Sequence, residues 1–96
     1  KSGILGLTTG LARELGSDGI RINAITPGWV FTEAQSSEYF EGEPAEKNLR
    51  YLADVQSLTV KIMPSDIANH ILFYLSDVSR ASTGANLVVD AGWTLQ

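Results

Sequence analysis

The chain has 96 residues, no cysteine, and a formal net charge of −4 from 7 basic and 11 acidic side chains. This length allows one small domain with a thin core. The lack of cysteine excludes disulfide scaffolds, cysteine-ligated zinc and thiol nucleophiles, and the single histidine excludes a histidine-rich metal site. We therefore expect no bound metal. No apolar run approaches the roughly 20 residues of a membrane helix, so we expect no membrane insertion, and we expect no secretory signal.

The negative charge is concentrated in residues 33–47, which hold five glutamates and one lysine. The rest of the chain is balanced, with six basic and six acidic side chains. Because an acidic segment repels a phosphate backbone and no basic stripe occurs elsewhere, we expect no nucleic-acid binding. The simplest interpretation of the glutamates is a solvated surface segment.

Residues 2–15 carry the periodicity of an amphipathic helix, with apolar side chains at Ile4, Leu7, Leu11 and Leu15. A second face holds Gly3, Gly6 and Gly10. It favours close approach of another helix, or it weakens this one by about 1 kcal/mol per glycine. Gly16 is expected to end the helix in a left-handed conformation.

The segment Ile20–Ile25 alternates apolar and polar residues and predicts a strand, which Pro27-Gly28 ends. Gly28 permits a sharp turn close to a ligand. A second strand is expected at Leu87–Val89, whose short apolar run is typical of a buried strand.

Two further helices are predicted between these strands. The first begins with Pro44 and presents apolar residues at three-residue spacing, at Leu49, Leu52, Val55 and Leu58. The second is capped by Ser65 and has Asp66 in its first turn. It runs to about Ser76, with an apolar face of Ile67, Ala68, Ile71, Leu72 and Leu75, while His70 is expected to be exposed.

This order of elements (helix, strand, irregular region with a helix, helix, strand) predicts an α/β fold with a parallel sheet. Two parallel strands would leave open edges and uncovered surface. We therefore interpret residues 1–96 as the C-terminal part of one larger α/β domain.

Six short motifs occur in an order that is typical of one enzyme family. They are Lys1–Gly3, the segment Gly19–Thr32 with its Asn, Pro-Gly and Thr, and then Ser65–Ala68, Leu75–Asp77, Thr83-Gly84 and Val89–Gly92. Over essentially its whole length, the chain resembles the C-terminal part of the short-chain dehydrogenase/reductase family. One departure is Ala91, where the family usually has glycine. Because alanine disfavours positive φ, we expect this turn to differ slightly.

The resemblance implies the C-terminal portion of a Rossmann-type, doubly wound parallel sheet. It also implies hydride transfer between NAD or NADP and an alcohol or carbonyl substrate. Thr32-Glu33-x-Gln35 and the ending Asp90–Trp93 resemble members that act on sugars or polyols. The catalytic tyrosine and serine and the glycine-rich turn would precede Lys1, so the chain alone is expected to be inactive. Lys1 would lower the pKa of a tyrosine four residues earlier and bind the nicotinamide ribose. If Lys1 is a true terminus, it is simply solvated.

The resemblance also assigns the remaining site residues. Pro27, Gly28, Val30 and Thr32 would contact the cofactor, with the Val30 main chain and the Thr32 hydroxyl on the carboxamide. Residues 33–63 correspond to a substrate loop or lid. Aromatic residues that could line its pocket, or belong to the core, are Trp29, Tyr39, Phe40 and Tyr51. Asn23 is expected to be structural.

The family further implies a cytoplasmic homotetramer. The alternative hypothesis is a non-catalytic assembly module that pairs with other subunits through the glycine-faced helix and the last strand. A tyrosine four positions before Lys1 would favour the enzyme.

Overall fold

The structure is a computed structural model that describes residues 2–32 and 43–95. Its helices and strands follow the predicted order: α1 Ser2–Leu15, β1 Ala24–Pro27, α2 Glu43–Val55, α3 Pro64–Leu75 and β2 Asn86–Val89. Short 3₁₀ turns lie at Gly16–Asp18, Asp77–Ser79 and Trp93–Leu95. The predicted α/β class is confirmed.

The two strands pair with each other in a two-stranded sheet. Ala24 N–H donates to Ala85 O over 2.8 Å, and Gly28 N–H donates to Val89 O over 2.9 Å. Donor and acceptor both advance by four residues in the same chain direction, so the pairing is parallel, as predicted. The expectation of a buried strand at Leu87–Val89 is wrong for the described residues, because β2 alternates between exposed and half-buried positions.

The chain divides into two compact units, one formed by Lys1–Thr26 with Ala68–Val88 and the other by Pro27–Ile67 with Val89–Gln96. In the first unit, α1 buries Thr8 and Ala12. The predicted stripe is therefore wrong in its N-terminal half, since Ile4 and Leu7 are 66% and 62% exposed. Thr8 can be buried because its hydroxyl donates to Ile4 O over 2.8 Å.

The glycines of α1 behave differently from the prediction. No described atom lies within 4 Å of the positions that side chains would take at Gly3, Gly6 and Gly10, so the described residues provide no helix against this face. Gly16 opens the 3₁₀ turn, and Gly19 is the left-handed residue, with φ of 75° and its N–H donating to Gly16 O. The extra 3₁₀ turn moves the left-handed position three residues along the chain.

The first strand begins four residues later than predicted because side chains occupy the hydrogen-bonding groups that a ladder would use. Ile22 N–H donates to Thr83 Oγ1 over 3.1 Å. Asn23 donates from Nδ2 to Ser82 O over 3.0 Å and accepts from Ala85 N–H over 3.1 Å. Asn23 thus joins two main-chain segments, which is the structural role expected for it.

The Arg21 guanidinium ties the same region to the end of α3. Its nitrogens donate to four carbonyl oxygens at 2.7–3.2 Å, those of Tyr74, Ser76, Ser79 and Ser82. Free carbonyls at a helix C-terminus need such donors. The apolar face of α3 is largely exposed, with Leu72 at 65% and Leu75 at 78%, whereas His70 is half-buried rather than exposed.

In the second unit, Phe31, Leu52 and Ile62 form the buried apolar core. Helix α2 begins at Glu43, one residue before the predicted Pro44. Helix α3 begins at Pro64, and Asp66 supplies the cap: its carboxylate accepts from Met63 N–H over 2.7 Å. The predicted Ser65 cap is wrong, because Pro64 takes the first helical position and places Asp66 where it reaches back to Met63.

Candidate functional site

The site predicted from sequence follows the carboxyl end of β1, where ligands bind in open parallel sheets. Gly28 N–H donates to Val89 O there, and the Gly28 main chain lies very close to Asp90. A side chain at Gly28 would come within 2.8 Å of both Cα and Cβ of Asp90. The sequence suggested that Gly28 allows a ligand to approach. The structure adds a packing reason, since only glycine fits against Asp90.

The next residues form a short extended segment beside Ile62. Val30 and Ile62 make a parallel bridge, and Phe31 N–H donates to Ile62 O over 2.8 Å. Main-chain groups of consecutive extended residues point to opposite sides, so the N–H and C=O of Val30 face away from Ile62. Phe31 anchors the segment in the core and has the Lys61 ammonium 5.6 Å from its ring centroid. Thr32 follows at a half-buried position.

Three aromatic side chains, which we call the aromatic cluster (Trp29, Tyr51 and Trp93), lie together in this unit. The rings of Trp29 and Trp93 are stacked, with centroids 6.4 Å apart and planes 20° apart. Tyr51 meets Trp93 edge-on at 5.8 Å and 75°. Both arrangements are favoured by the ring quadrupole. Trp93 thus joins two residues that the sequence predicted for the substrate pocket.

The turn that carries Trp93 is organised by Asp90. Its carboxylate accepts from the N–H groups of Gly92 and Thr94, both over 2.9 Å. Burial alone would raise the pKa of Asp90, but hydrogen bonds from Thr94 and Gly92 stabilise the charged form and bring the pKa below its ordinary 3.8. Asp90 is therefore a fixed anion at neutral pH.

Two consecutive left-handed residues complete this turn. Gly92 has φ of 84°, and Ala91, against the preference of its side chain, has φ of 55°. Leu58 N–H donates to Ala91 O over 2.9 Å, and Ser57 Oγ donates to Gly92 O over 3.2 Å. These two bonds hold Ala91 in a left-handed conformation that alanine disfavours.

The structure accounts for some of the predicted site residues. Pro27, Gly28, Val30 and Thr32 form one continuous segment, and Trp29 and Tyr51 both contact Trp93. Three predicted residues lie outside the described part of the chain: Lys1, Tyr39 and Phe40. Trp93 was not among the predicted pocket residues, although the sequence placed it in an ending that resembles members acting on sugars or polyols.

Residues 2–32 and 43–95 offer neither a metal site nor a membrane span. No cluster of three or more carboxylate and histidine side chains there could hold a metal ion. No helix in these ranges combines the length and apolar character needed to cross a bilayer.

Comparison with known proteins identifies the family. A family model described as "Enoyl-(Acyl carrier protein) reductase" matches residues 1–94. D-xylose 1-dehydrogenase from Caulobacter vibrioides is 40% identical over 94 residues, which are 97% of this chain and 36% of that protein. The chain belongs to the short-chain dehydrogenase/reductase family. The resemblance inferred from the six motifs is therefore confirmed.

Solved structures of this family agree with the fold. 4-Hydroxyisoleucine dehydrogenase complexed with NADH has a TM-score of 0.86 and 37% identity, covering 99% of this chain and 37% of that one. A putative 2-deoxy-D-gluconate 3-dehydrogenase from Agrobacterium tumefaciens with bound NADP has a TM-score of 0.81 and 32% identity, covering 99% and 37%. The predicted Rossmann-type fold is confirmed. The chain spans about a third of the length of these relatives.

Proposed function

We propose that this chain is the C-terminal third of an NAD(P)-dependent oxidoreductase that acts on an alcohol or carbonyl group. In this proposal residues 1–96 belong to a single dinucleotide-binding domain, residues 33–63 form its substrate lid, and the chain alone is inactive. The exposed apolar faces support a larger domain, because Leu72 and Leu75 of α3 and Val88 of β2 are 65%, 78% and 43% exposed.

The observation that carries the proposal is the orientation of Val30. Its N–H and C=O, directed away from Ile62, offer one donor and one acceptor beside the carboxyl end of β1. A nicotinamide carboxamide has a complementary acceptor and donor. The segment therefore fits the cofactor that the family binds, with Val30 and Thr32 holding the carboxamide and Pro27-Gly28 fixing the path of the main chain.

When bound, the nicotinamide supplies or accepts the hydride. The residues of this chain would then keep the tyrosine that transfers the proton in its ionised form. A tyrosine has a pKa near 10, and an ammonium one helical turn away favours its phenolate. We assign this role to Lys1, which would act on a tyrosine four residues earlier. The same side chain would also bind the nicotinamide ribose. This assignment rests on the family motif.

The substrate class is proposed to be a sugar or polyol. Support comes from the similarity to D-xylose 1-dehydrogenase and to a putative 2-deoxy-D-gluconate 3-dehydrogenase. The aromatic cluster gives a second reason, because Trp29 and Tyr51 both contact the Trp93 ring. A cytoplasmic homotetramer completes the proposal and rests on the resemblance alone.

One observation favours the second candidate, a non-catalytic assembly module. Helix α1 exposes Ile4 and Leu7 next to its glycines, and such an apolar, smooth surface suits subunit contact. The two candidates differ at the residue four positions before Lys1 in the complete reading frame. A tyrosine there supports the enzyme, and any other residue removes the proposed acid/base.

The cofactor site is tested by titrating the complete protein with NADH and NADPH and following nicotinamide fluorescence. Thr32→Val removes one hydroxyl and keeps the shape, so we expect the Kd to rise about 5- to 10-fold. Thr9→Val is the matched control, because within residues 2–32 and 43–95 the Thr9 hydroxyl bonds its own helix alone, at Leu5 O and Gly6 O. Equal affinity of the wild type and Thr32→Val would remove Thr32 from the site, and no binding by the wild type would overturn the proposal.

A further inference from the structure

Trp93 was not predicted as a pocket residue, yet it is the centre of the aromatic cluster. It contacts Trp29 by stacking and Tyr51 by its edge. Trp29 itself stands between Gly28 and Val30, inside the segment proposed to hold the cofactor. We propose that Trp93 is a specificity-determining residue whose indole, with Trp29 and Tyr51, receives the C–H face of a ring-shaped substrate such as an aldopyranose. This inference rests on the proposed function.

Hydrogen bonds and an unusual backbone conformation constrain the turn around Trp93. The Asp90 carboxylate binds the N–H groups on both sides of Trp93, those of Gly92 and Thr94, and Trp93 N–H donates to Asp90 O over 3.1 Å. Ala91 accepts a left-handed φ of 55°, a conformation that costs a non-glycine residue about 1–2 kcal/mol. Backbone strain of this kind is concentrated at functional sites.

The same turn is fixed from the outside by the segment that follows α2. A side chain at Gly92 would come within 2.6 Å of Cβ and Oγ of Ser57, so the two segments are in close contact. The hydrogen bonds from Ser57 and Leu58 to the carbonyls of Gly92 and Ala91 add to this contact. The direction of the Trp93 indole is therefore determined by two segments of the chain.

The described residues do not fully enclose the aromatic cluster. Tyr51 is 50% exposed, and Trp29 and Trp93 are half-buried. The faces of aromatic rings carry negative potential, which attracts the polarised C–H groups on one side of a sugar ring. A flexible acyclic chain presents no such flat face and loses more conformational freedom on binding. The cluster therefore favours cyclic substrates over acyclic ones with the same number of carbon atoms.

The test uses the complete protein, with D-xylose and D-galactose as cyclic substrates and xylitol and galactitol as acyclic ones. In Trp93→Leu we expect KM for the cyclic sugars to rise about 3- to 10-fold, the size of one aromatic contact. We expect kcat to stay within about twofold, because stacking binds ground state and transition state alike. KM for the acyclic polyols and Kd for NADH should each change less than about twofold.

Two further variants separate recognition from folding. Trp93→Phe keeps an aromatic face, so it should recover much of the affinity for cyclic sugars that Trp93→Leu loses. Phe73→Leu removes an aromatic ring that packs on Tyr74 in the other unit and should leave all four KM values unchanged. Loss of the Trp29–Trp93 stacking should also appear as a change in the near-ultraviolet circular dichroism of Trp93→Leu.

Three results would overturn the inference. They are an equal rise of KM for cyclic and acyclic substrates, a fall in kcat without a change in KM, and no change at all. In each case the wild type still binds NADH and turns over substrate, so the proposed function stands. If the wild type binds no cofactor and oxidises none of the four compounds, the proposed function fails, and the role of Trp93 fails with it.

Discussion

Arg21 in the first unit and Asp90 in the second each organise main chain with one charged side chain, but they do so in opposite ways. Arg21 donates to four carbonyl oxygens that lie 53 to 61 residues away in the sequence. Asp90 accepts from two N–H groups two and four residues away. The first arrangement joins distant segments, and the second shapes a single local turn.

This difference teaches where to look for function. The Arg21 contacts end at carbonyls of a helix terminus and its following turns, so they stabilise the fold. The Asp90 contacts support two left-handed residues and end at Trp93, a large ring placed against Trp29. Because the Asp90 turn keeps two residues in left-handed conformations beside Trp93, we interpret it as a turn that positions the Trp93 ring.

The largest effect is expected from Gly92→Ala. The new side chain meets both an unfavourable φ of 84° and the Ser57 side chain at 2.6 Å. Together these should destabilise the complete protein by about 2–4 kcal/mol, measured by denaturant unfolding. The control is a double-mutant cycle with Ser57→Gly, which removes the atoms in conflict and should restore about half of the loss. Strict additivity of the two substitutions would show that Ser57 does not restrict the turn.

Arg21→Met should have the next largest effect. The substitution keeps the apolar stem and removes every guanidinium bond, leaving the carbonyls of Tyr74, Ser76, Ser79 and Ser82 without that donor. Hydrogen bonds from a charged group support a loss of about 2–3 kcal/mol in unfolding free energy. Arg80→Met, at an exposed position of the same unit, should change stability by less than about 0.5 kcal/mol. Equal effects of the two variants would contradict the role of Arg21.

These residues also show what the sequence could and could not predict. Helix α1 was placed correctly from residue 2 to residue 15, because the period of apolar residues is a local property. Its buried face was placed incorrectly, because Thr8 satisfies its hydroxyl within the helix and then packs like an apolar residue. The start of β1 was missed because the residues before it bond to a segment that is distant in the sequence. Ile22 N–H donates to the Thr83 hydroxyl, and the Asn23 side chain binds the main chain of Ser82 and Ala85, which no local pattern reveals.

The candidate site shows the same limit. The segment from Pro27 to Thr32 was found because its residues are adjacent in sequence and follow a strand. Trp93 was missed because its contacts to Trp29 and Tyr51 depend on tertiary structure. The cap of α3 was placed one residue from its true position for a smaller reason: Ser65 is a good cap in isolation, but Pro64 already occupies the first helical position.

A pH titration of the unfolding free energy tests the Asp90 turn, and the expected effect is smaller than that of Arg21→Met. Because the pKa of Asp90 is lower in the folded protein than its ordinary 3.8, ionisation favours the folded state above that value. This stability is lost as pH falls through the lowered pKa. Unfolding of the wild type and Asp90→Asn should therefore be compared between about pH 6 and pH 2. The advantage of the wild type should be constant above about pH 5 and shrink toward the acid limit, and a difference that does not depend on pH would exclude a role for the charge.

The smallest effect, and the one of opposite sign, is expected from Ala91→Gly. Glycine adopts a φ of 55° without the conflict between Cβ and the main chain, but its unfolded state is more flexible. Relief of strain should exceed the entropy cost, so we expect a gain of about 0.5–1 kcal/mol in unfolding free energy. Ala53→Gly, within α2, should instead lose about 1 kcal/mol. If Ala91→Gly is also destabilising, the turn is not strained. The contrast between Arg21, which stabilises the fold, and Asp90, which holds a strained turn, then loses its main support.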